Sequence, residues 1–270
     1  MKDFLAVARE AALKAGGILR DNIDGMREIN YKGDINLVTE MDVKSEKAVV
    51  ETLLSAFPGH GILAEEGTLI RNDSGFTWVI DPLDGTTNYA HGYPCFSVSL
   101  ALEQDGEVIL GVVYDPMRGE LFTAQKGQGA FLNGKQIKVS VIDSLIQSLL
   151  ATGFPYDRKV HGANNLDNFR DLLMASQEVR RDGSAALDLC YVAMGRFDGF
   201  WELKLKPWDV AAGSLIVQEA GGVVSTLSGG KGSIHDSEIL ASNGRVHAQM
   251  IGVLRKTRER AGSSVAREQG

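Results

Sequence analysis

Cysteine is nearly absent. Cys95 and Cys190 are the only two in 270 residues, and they form no C-x-x-C pair. That excludes a disulfide framework and a thiolate zinc centre. Histidine is sparse as well: five residues are scattered and no H-E-x-x-H occurs, which removes the commonest metalloprotease pattern. No apolar run is long enough to span a bilayer. Met1-Lys2-Asp3-Phe4 opens without the apolar stretch of a signal peptide. Positive charge is in deficit, with 28 Lys and Arg against 35 Asp and Glu, a net −7. This argues against broad nucleic-acid binding, which needs a basic face. A cytoplasmic protein with no membrane or direct nucleic-acid contact is expected. Its 44% hydrophobic and 23% charged residues are ordinary for a soluble globular chain.

The chain is most informative at Trp78-Val79-Ile80-Asp81-Pro82-Leu83-Asp84-Gly85-Thr86-Thr87-Asn88. Trp78 to Ile80 read as a buried strand that delivers Asp81 to its end. Pro82 cannot donate to a ladder, so pairing is expected to stop there. Asp84 follows, and Gly85-Thr86-Thr87-Asn88 supplies a turn and cap-type residues for a helix start. Two carboxylates beside free backbone N–H groups suit hard cations and a phosphate. The acids alone would repel a phosphate, so the pattern implies Mg2+ or a similar ion more than bare acid–base work. Phosphatases that form a phospho-aspartate carry D-x-D-x-T, with a shorter gap and no proline at this place. Read alone, Asp84-Gly85 also suits an ordinary turn.

Other segments add acids at similar places. Gly61 to Ala64 is a short apolar strand ending in Glu65-Glu66-Gly67, which by itself also reads as a solvated edge. Thr39-x-x-Asp42 resembles a capping box, and Asp42 also suits a first-turn acid favoured by the helix dipole. Lys32 lies in a polar turn and reads locally as a surface lysine. Gly183-Ser184-Ala185 opens an apolar helix, either as a second anion site or as a close-packed helix start. Phe197 to Glu202 is a strand ending in an acid. Pro207-Trp208-Asp209-Val210-Ala211-Ala212-Gly213 sets Asp209 at a helix N-terminus, as cap or as ligand. Before residue 140 the chain reads as two helices and a mainly antiparallel sheet, with Asn133-Gly134 a hairpin turn. We divide it into 1–143, an N-terminal α+β subdomain; 144–258, a C-terminal α/β subdomain completing the site; and 259–270, a tail expected to be disordered.

Glu65-Glu66-Gly67, Asp81 to Asn88 and Trp208 to Gly213, in this order and at wide spacing, resemble the inositol monophosphatase family, in particular its bacterial SuhB-type members. Supporting stretches are Gly111 to Pro116, Ala151 to Pro155, Gly183 to Leu189 and Glu219 to Gly222. The resemblance runs from the first helix to about residue 255 and implies an α+β fold, the five-layer α-β-α-β-α sandwich of the sugar phosphatases (inositol monophosphatase and fructose-1,6-bisphosphatase), usually a homodimer. It implies lithium-sensitive, Mg2+-dependent hydrolysis of myo-inositol monophosphate by metal-activated water, with roughly two to three ions per site. Carried over by position, Glu65, Asp81, the Leu83 carbonyl, Asp84, Thr86 and Asp209 would hold metal. Glu65 and Thr86, with Asp42 close by, would serve catalysis. Asp84, Gly85, Thr86, Gly183, Ser184, Ala185, Glu202, Asp209 and Lys32 would face substrate. Fructose 1,6-bisphosphate or another small sugar or nucleotide phosphate is the alternative substrate. Glu202 favours a neutral polyol over a second phosphate. A role of another class is an interaction protein of the bacterial transcription machinery with residual hydrolysis.

Overall fold

The computed structural model describes residues 3–25, 29–31 and 37–268. Helix α1 (Phe4–Asn22) starts where the Asp3 carboxylate accepts the Leu5 N–H, and it buries Ala8, Ala11, Ala15 and Leu19 along one stripe. Strands β1 (Ile29–Tyr31) and β2 (Leu37–Thr39) form a small antiparallel pair. Helix α2 (Glu40–Ala56) opens on the expected Thr39–Asp42 capping box and packs on α1.

Then come β3 (Gly61–Ala64), β4 (Leu69–Ile70), β5 (Phe76–Asp84), the short helix α3 (Thr86–Ala90), β6 (Ser97–Gln104), β7 (Glu107–Asp115), β8 (Glu120–Gln125), β9 (Ala130–Leu132) and β10 (Lys135–Ile137). Their strands make an eight-stranded sheet in the order β10-β9-β8-β7-β6-β5-β3-β4. Pairing is antiparallel except between β3 and β5. The central strands are apolar on both faces. Trp78, Ile80, Leu100 and Val112 point into the core under α1 and α2, while Val79, Ala101 and Val113 join the core on the other side. That explains runs such as Trp78-Val79-Ile80, which do not alternate as a one-sided sheet would.

The second half contains β11 (Leu149–Thr152), α4 (Leu166–Ala175), β12 (Glu178–Arg180), α5 (Ala185–Ala193), β13 (Gly199–Leu203), α6 (Pro207–Glu219), β14 (Val223–Ser225), β15 (Glu238–Ser242) and α7 (His247–Glu268). A five-stranded sheet runs β12-β11-β13-β15-β14, parallel over its first three strands. Helices α5 and α6 lie between the two sheets. They are apolar nearly all round because both faces are covered, with Leu189, Ile216 and Val217 wholly buried. Helices α4 and α7 cover the far face over Leu150, Trp201 and Leu240. The layers are therefore α1/α2, the large sheet, α5/α6, the small sheet and α4/α7, the five-layer α+β sandwich that the motifs implied.

One local expectation changes. Strand β5 does not end before Pro82: Asp81 pairs with Ser99 and Asp84 with Ser97, so one extra residue is accommodated and the ladder resumes. Proline is tolerated because it falls in this bulge. Glu178-Val179-Arg180 forms an edge strand of the small sheet. Helix α7 runs through Glu268.

Candidate active site

A cavity of about 1030 Å3 opens where the ends of β3, β5 and β13 meet the N-termini of α3, α5 and α6. Each of those ends contributes an acid. Glu65 follows β3, and its N–H is held by the Ile80 carbonyl at 3.2 Å. Asp81 and Asp84 flank the β5 bulge. Glu202 lies near the end of β13 and Asp209 in the first turn of α6.

The bulge is tied down from several directions. The Asp81 Oδ1 accepts the Leu83 N–H at 3.0 Å, and Ser45 of α2 donates to the Pro82 carbonyl at 2.8 Å. The Thr86 hydroxyl lies 3.1 Å from the Leu83 carbonyl and 3.0 Å from Asp42 Oδ1. Its single proton serves one of these acceptors at a time. Asp42 is wholly buried, and its other oxygen accepts the Thr39 N–H and hydroxyl at 2.8 and 2.6 Å. It does not line the cavity; it stands behind Thr86 and orients that hydroxyl. Gly85 has φ +99° and starts α3, bringing its own backbone and that of Thr86 to the cavity wall.

The N-terminus of α5 already carries an anion, the Asp84 side chain. Its Oδ2 accepts the Ser184 hydroxyl at 2.6 Å and the Ala186 N–H at 2.8 Å. The same serine caps the helix toward Leu187 at 3.4 Å. Asp209 accepts the Lys206 N–H at 2.6 Å, so it is a cap and a cavity acid together. Burial raises the Asp81 carboxyl well above the usual range, and repulsion from Glu65, Asp84 and Asp209 adds to this. Burial likewise raises Asp84 and Asp209, and pushes Glu202 up to about 8 against the opposing pull of Arg181.

The residues expected from the sequence thus share one cavity. Glu65, Asp81, Leu83, Asp84, Gly85, Thr86, Gly183, Ser184, Ala185, Glu202 and Asp209 all line this cavity, while Asp42 supports it from behind. Lys32 lies outside the described residues. Other participants carry no local signal. Glu46 accepts the Glu66 N–H at 2.8 Å and the Thr68 hydroxyl at 2.5 Å, fixing the turn after Glu65. Asn88 donates to the Cys95 and Asp182 carbonyls, 2.7 Å each, stitching α3 to the approach of α5. Tyr156 and Thr87 both line the cavity. Asp188 is buried in the wall with Oδ1 unpartnered. Glu46 reads as one more helix-surface acid until the turn packs on it.

The donors are all oxygen, carboxylate and carbonyl, which suits a hard divalent cation and not a soft one. Among the described residues no three of these acids already converge on one point. Like charges keep apart, and Asp84 and Asp209 turn one oxygen each toward N–H donors. Burial lifts Asp81 most, and repulsion from Glu65, Asp84 and Asp209 adds to it; a cation would relieve that repulsion, so the residue set fits one.

The model of the inositol monophosphatase family matches residues 1–259. The chain belongs to this family. It is 44% identical over 258 residues to the Nus factor SuhB of Escherichia coli K12, spanning 94% of this chain and 97% of that protein. It is 40% identical over 256 residues to the inositol-1-monophosphatase of Mesorhizobium japonicum, covering 94% and 96%. Among solved structures, the inositol monophosphatase from Anabaena superposes with a TM-score of 0.86 at 45% identity over 94% and 95% of the two chains. The Thermotoga maritima IMPase gives 0.87 at 36% identity over 96% and 99%. Family membership supports a phosphatase built on this fold. Among the described residues no helix is long and apolar enough to cross a membrane.

Proposed function

We propose that this chain hydrolyses myo-inositol monophosphate to inositol and phosphate with Mg2+ as cofactor. The observation that carries the reading is the grouping of Glu65, Asp81, Asp84 and Asp209 on one cavity wall, with Asp81 buried among like charges. Glu65, Asp81, Asp84, Asp209, the Leu83 carbonyl and the Thr86 hydroxyl are the groups that would hold the metal. A hard divalent cation there supplies positive charge for the phosphoryl oxygens and lowers the pKa of water. Glu65 and Thr86 take and steer a proton at the attacking side, Thr86 being oriented through Asp42 Oδ1. The backbone N–H groups of Gly85 and Thr86 bind phosphoryl oxygens. Gly183, Ser184, Ala185 and Glu202 receive the polyol. No side chain is required as a covalent nucleophile. Cys95 in particular is a poor one, since burial pushes its thiol up to about 12.

Glu202 supports the inositol ester over fructose 1,6-bisphosphate: a buried carboxyl can hydrogen-bond a polyol hydroxyl, and in its ionised form it would repel a second phosphate. The relative named Nus factor SuhB supports a second reading, that the chain also binds the bacterial transcription machinery. A homodimer, lithium sensitivity and a cytoplasmic location belong to the same proposal. The test is phosphate release from inositol 1-phosphate and fructose 1,6-bisphosphate with Mg2+, with chelator, and with Asp84→Asn. Mg2+-dependent release from the inositol ester, lost in the variant, is expected. Preference for the bisphosphate would overturn the reading of Glu202. No release from either ester, with partners from lysate retained by Asp84→Asn, would favour the interaction role.

A further inference from the structure

Asn165 occupies the N-cap of α4 without capping its backbone: its own backbone is left-handed, φ +72°, and its side chain accepts no backbone N–H of the first turn. Asparagine at this position usually accepts an N–H of the first turn. Here it turns inward, is 3% exposed, and spends its amide elsewhere. Its Nδ2 donates to the Gly153 carbonyl at 2.7 Å and to the Thr152 hydroxyl at 2.9 Å. Its Oδ1 accepts the Trp201 indole N–H at 2.9 Å and the Asn168 amide at 3.1 Å. The Thr152 hydroxyl in turn donates to the Trp201 carbonyl at 2.6 Å. The network is closed, and every donor and acceptor of the Asn165 amide is used.

What this network holds is the surround of Glu202. Trp201 precedes Glu202 on β13, and Thr152 pairs with Trp201 across the parallel ladder. Gly153, the next residue along, lies directly against the Glu202 side chain. A Cβ built on Gly153 would come within 2.3 Å of the Glu202 carboxyl carbon. The carboxyl therefore rests on a bare backbone whose carbonyl is fixed by Asn165. The same two residues, Gly153 and Asn165, close both ends of the rim segment 154–164, which puts Phe154, Pro155 and Tyr156 on the cavity. We infer that Asn165 is a positioning residue for polyol recognition, setting Glu202 and the adjoining rim through Gly153, Thr152 and Trp201 without touching substrate. The inference rests on the reading of Glu202 as the polyol contact.

The experiment compares kcat and KM for inositol 1-phosphate and for 4-nitrophenyl phosphate, which has the phosphate but no polyol. Asn165→Asp keeps the acceptor for Trp201 and loses both donors. Thr152→Val loses the hydroxyl and Thr152→Ser keeps it. Glu202→Gln reports on the polyol contact itself. Asn165→Asp and Thr152→Val are expected to raise KM for the inositol ester roughly tenfold, with kcat and all 4-nitrophenyl phosphate constants within about twofold of wild type. Thr152→Ser is expected to restore wild-type behaviour. A purely structural role would lower both substrates together, and that outcome overturns the inference. So does an unchanged KM in Asn165→Asp when Glu202→Gln raises it. An unchanged KM in Glu202→Gln overturns the polyol reading, and the inference with it.

Discussion

Ser184 donates its hydroxyl proton to Asp84 at 2.6 Å, joining the start of α5 to the end of β5. One side chain thus caps a helix between the two sheets and orients an acid of the large sheet. The bond is charge-assisted and buried, which makes it stronger than a surface contact. Ser184→Ala is expected to cost about 1–3 kcal/mol of stability, since the Asp84 oxygen loses a donor and α5 loses its cap. Phosphate release should fall with it, while Ser184→Thr, which keeps a hydroxyl, should stay near wild type in both urea midpoint and rate. Equal loss in the two variants would show that the fit of the serine matters and its hydrogen bond does not.

Gly85 offers a second test, because strain and collision can be separated. Its φ is +99°, and a Cβ there would lie 3.0 Å from the Cys95 carbonyl oxygen, 3.2 Å from Phe96 Cβ and 3.3 Å from the Gly183 carbonyl oxygen. Gly67 has a similar φ, +108°, with nothing within 4 Å. Gly67→Ala should show the backbone strain alone, about 1–2 kcal/mol, and Gly85→Ala visibly more. Denaturant midpoints measure the difference. Gly85→Ala should also lose most phosphate release, since the turn it disturbs carries Asp84 and Thr86. Matching midpoints for the two variants would mean that the neighbours of Gly85 yield freely.

His247 makes stability fall in mild acid. Its ring accepts or donates between Ser225 Oγ and Ser242 Oγ, 2.9 Å to each, and burial lowers its pKa below the ordinary 6.5. The unfolded chain therefore binds a proton that the folded chain resists. The stability that His247 contributes is fully present above about pH 6.5 and is lost as pH falls from there through the lowered folded value. Urea unfolding at a series of pH values between 8 and 5 should show the stability advantage of wild type over His247→Gln shrinking as pH falls, whatever the opposite trend of the buried cavity acids does to both proteins. A difference that stays constant over this range would show that His247 does not titrate in it.

Much of this site is legible in the sequence because its acids sit where local chemistry announces them. Asp81 and Asp84 bracket a proline and precede a glycine turn; Asp209 follows Pro-Trp at a helix start; Glu65 ends a short apolar run. The five layers came with the family resemblance and not from the residue pattern; the apolar circumference of α6 fits its place between two sheets. What was not legible depends on partners distant in the chain. Glu46 looks like one more helix-surface acid until Glu66 and Thr68 bind it, 20 and 22 residues away. Asn165 looks like an ordinary cap, and only the fold brings Gly153 and Trp201 to it. Pro82 misled in the other direction: proline rules describe regular ladders, and β5 is irregular at that point.

Cation binding should be coupled to proton release at the cavity wall. Burial pushes Asp209 up to about 8, with repulsion from Asp84 adding to it, and Asp81 and Asp84 are raised as well. For acids raised on folding, the cation-free protein keeps their contribution to stability below the ordinary carboxylate value near 3.8 and loses it as pH climbs toward the raised values. Mg2+ requires the ionised forms, so it displaces protons and binds more tightly as pH rises through the same window. At one fixed Mg2+ concentration the rise in melting temperature should be larger at pH 8 than at pH 6, because stabilisation follows ligand concentration relative to Kd. Chelator should abolish the rise at both pH values. Asp209→Asn removes an acid raised further than Asp84 and should flatten the pH dependence while weakening the effect. Proton release into weak buffer on mixing with Mg2+ gives an independent reading. A melting shift of equal size at both pH values, with no protons released, would mean that the cation settles on acids already ionised at the surface, away from Asp81, Asp84 and Asp209.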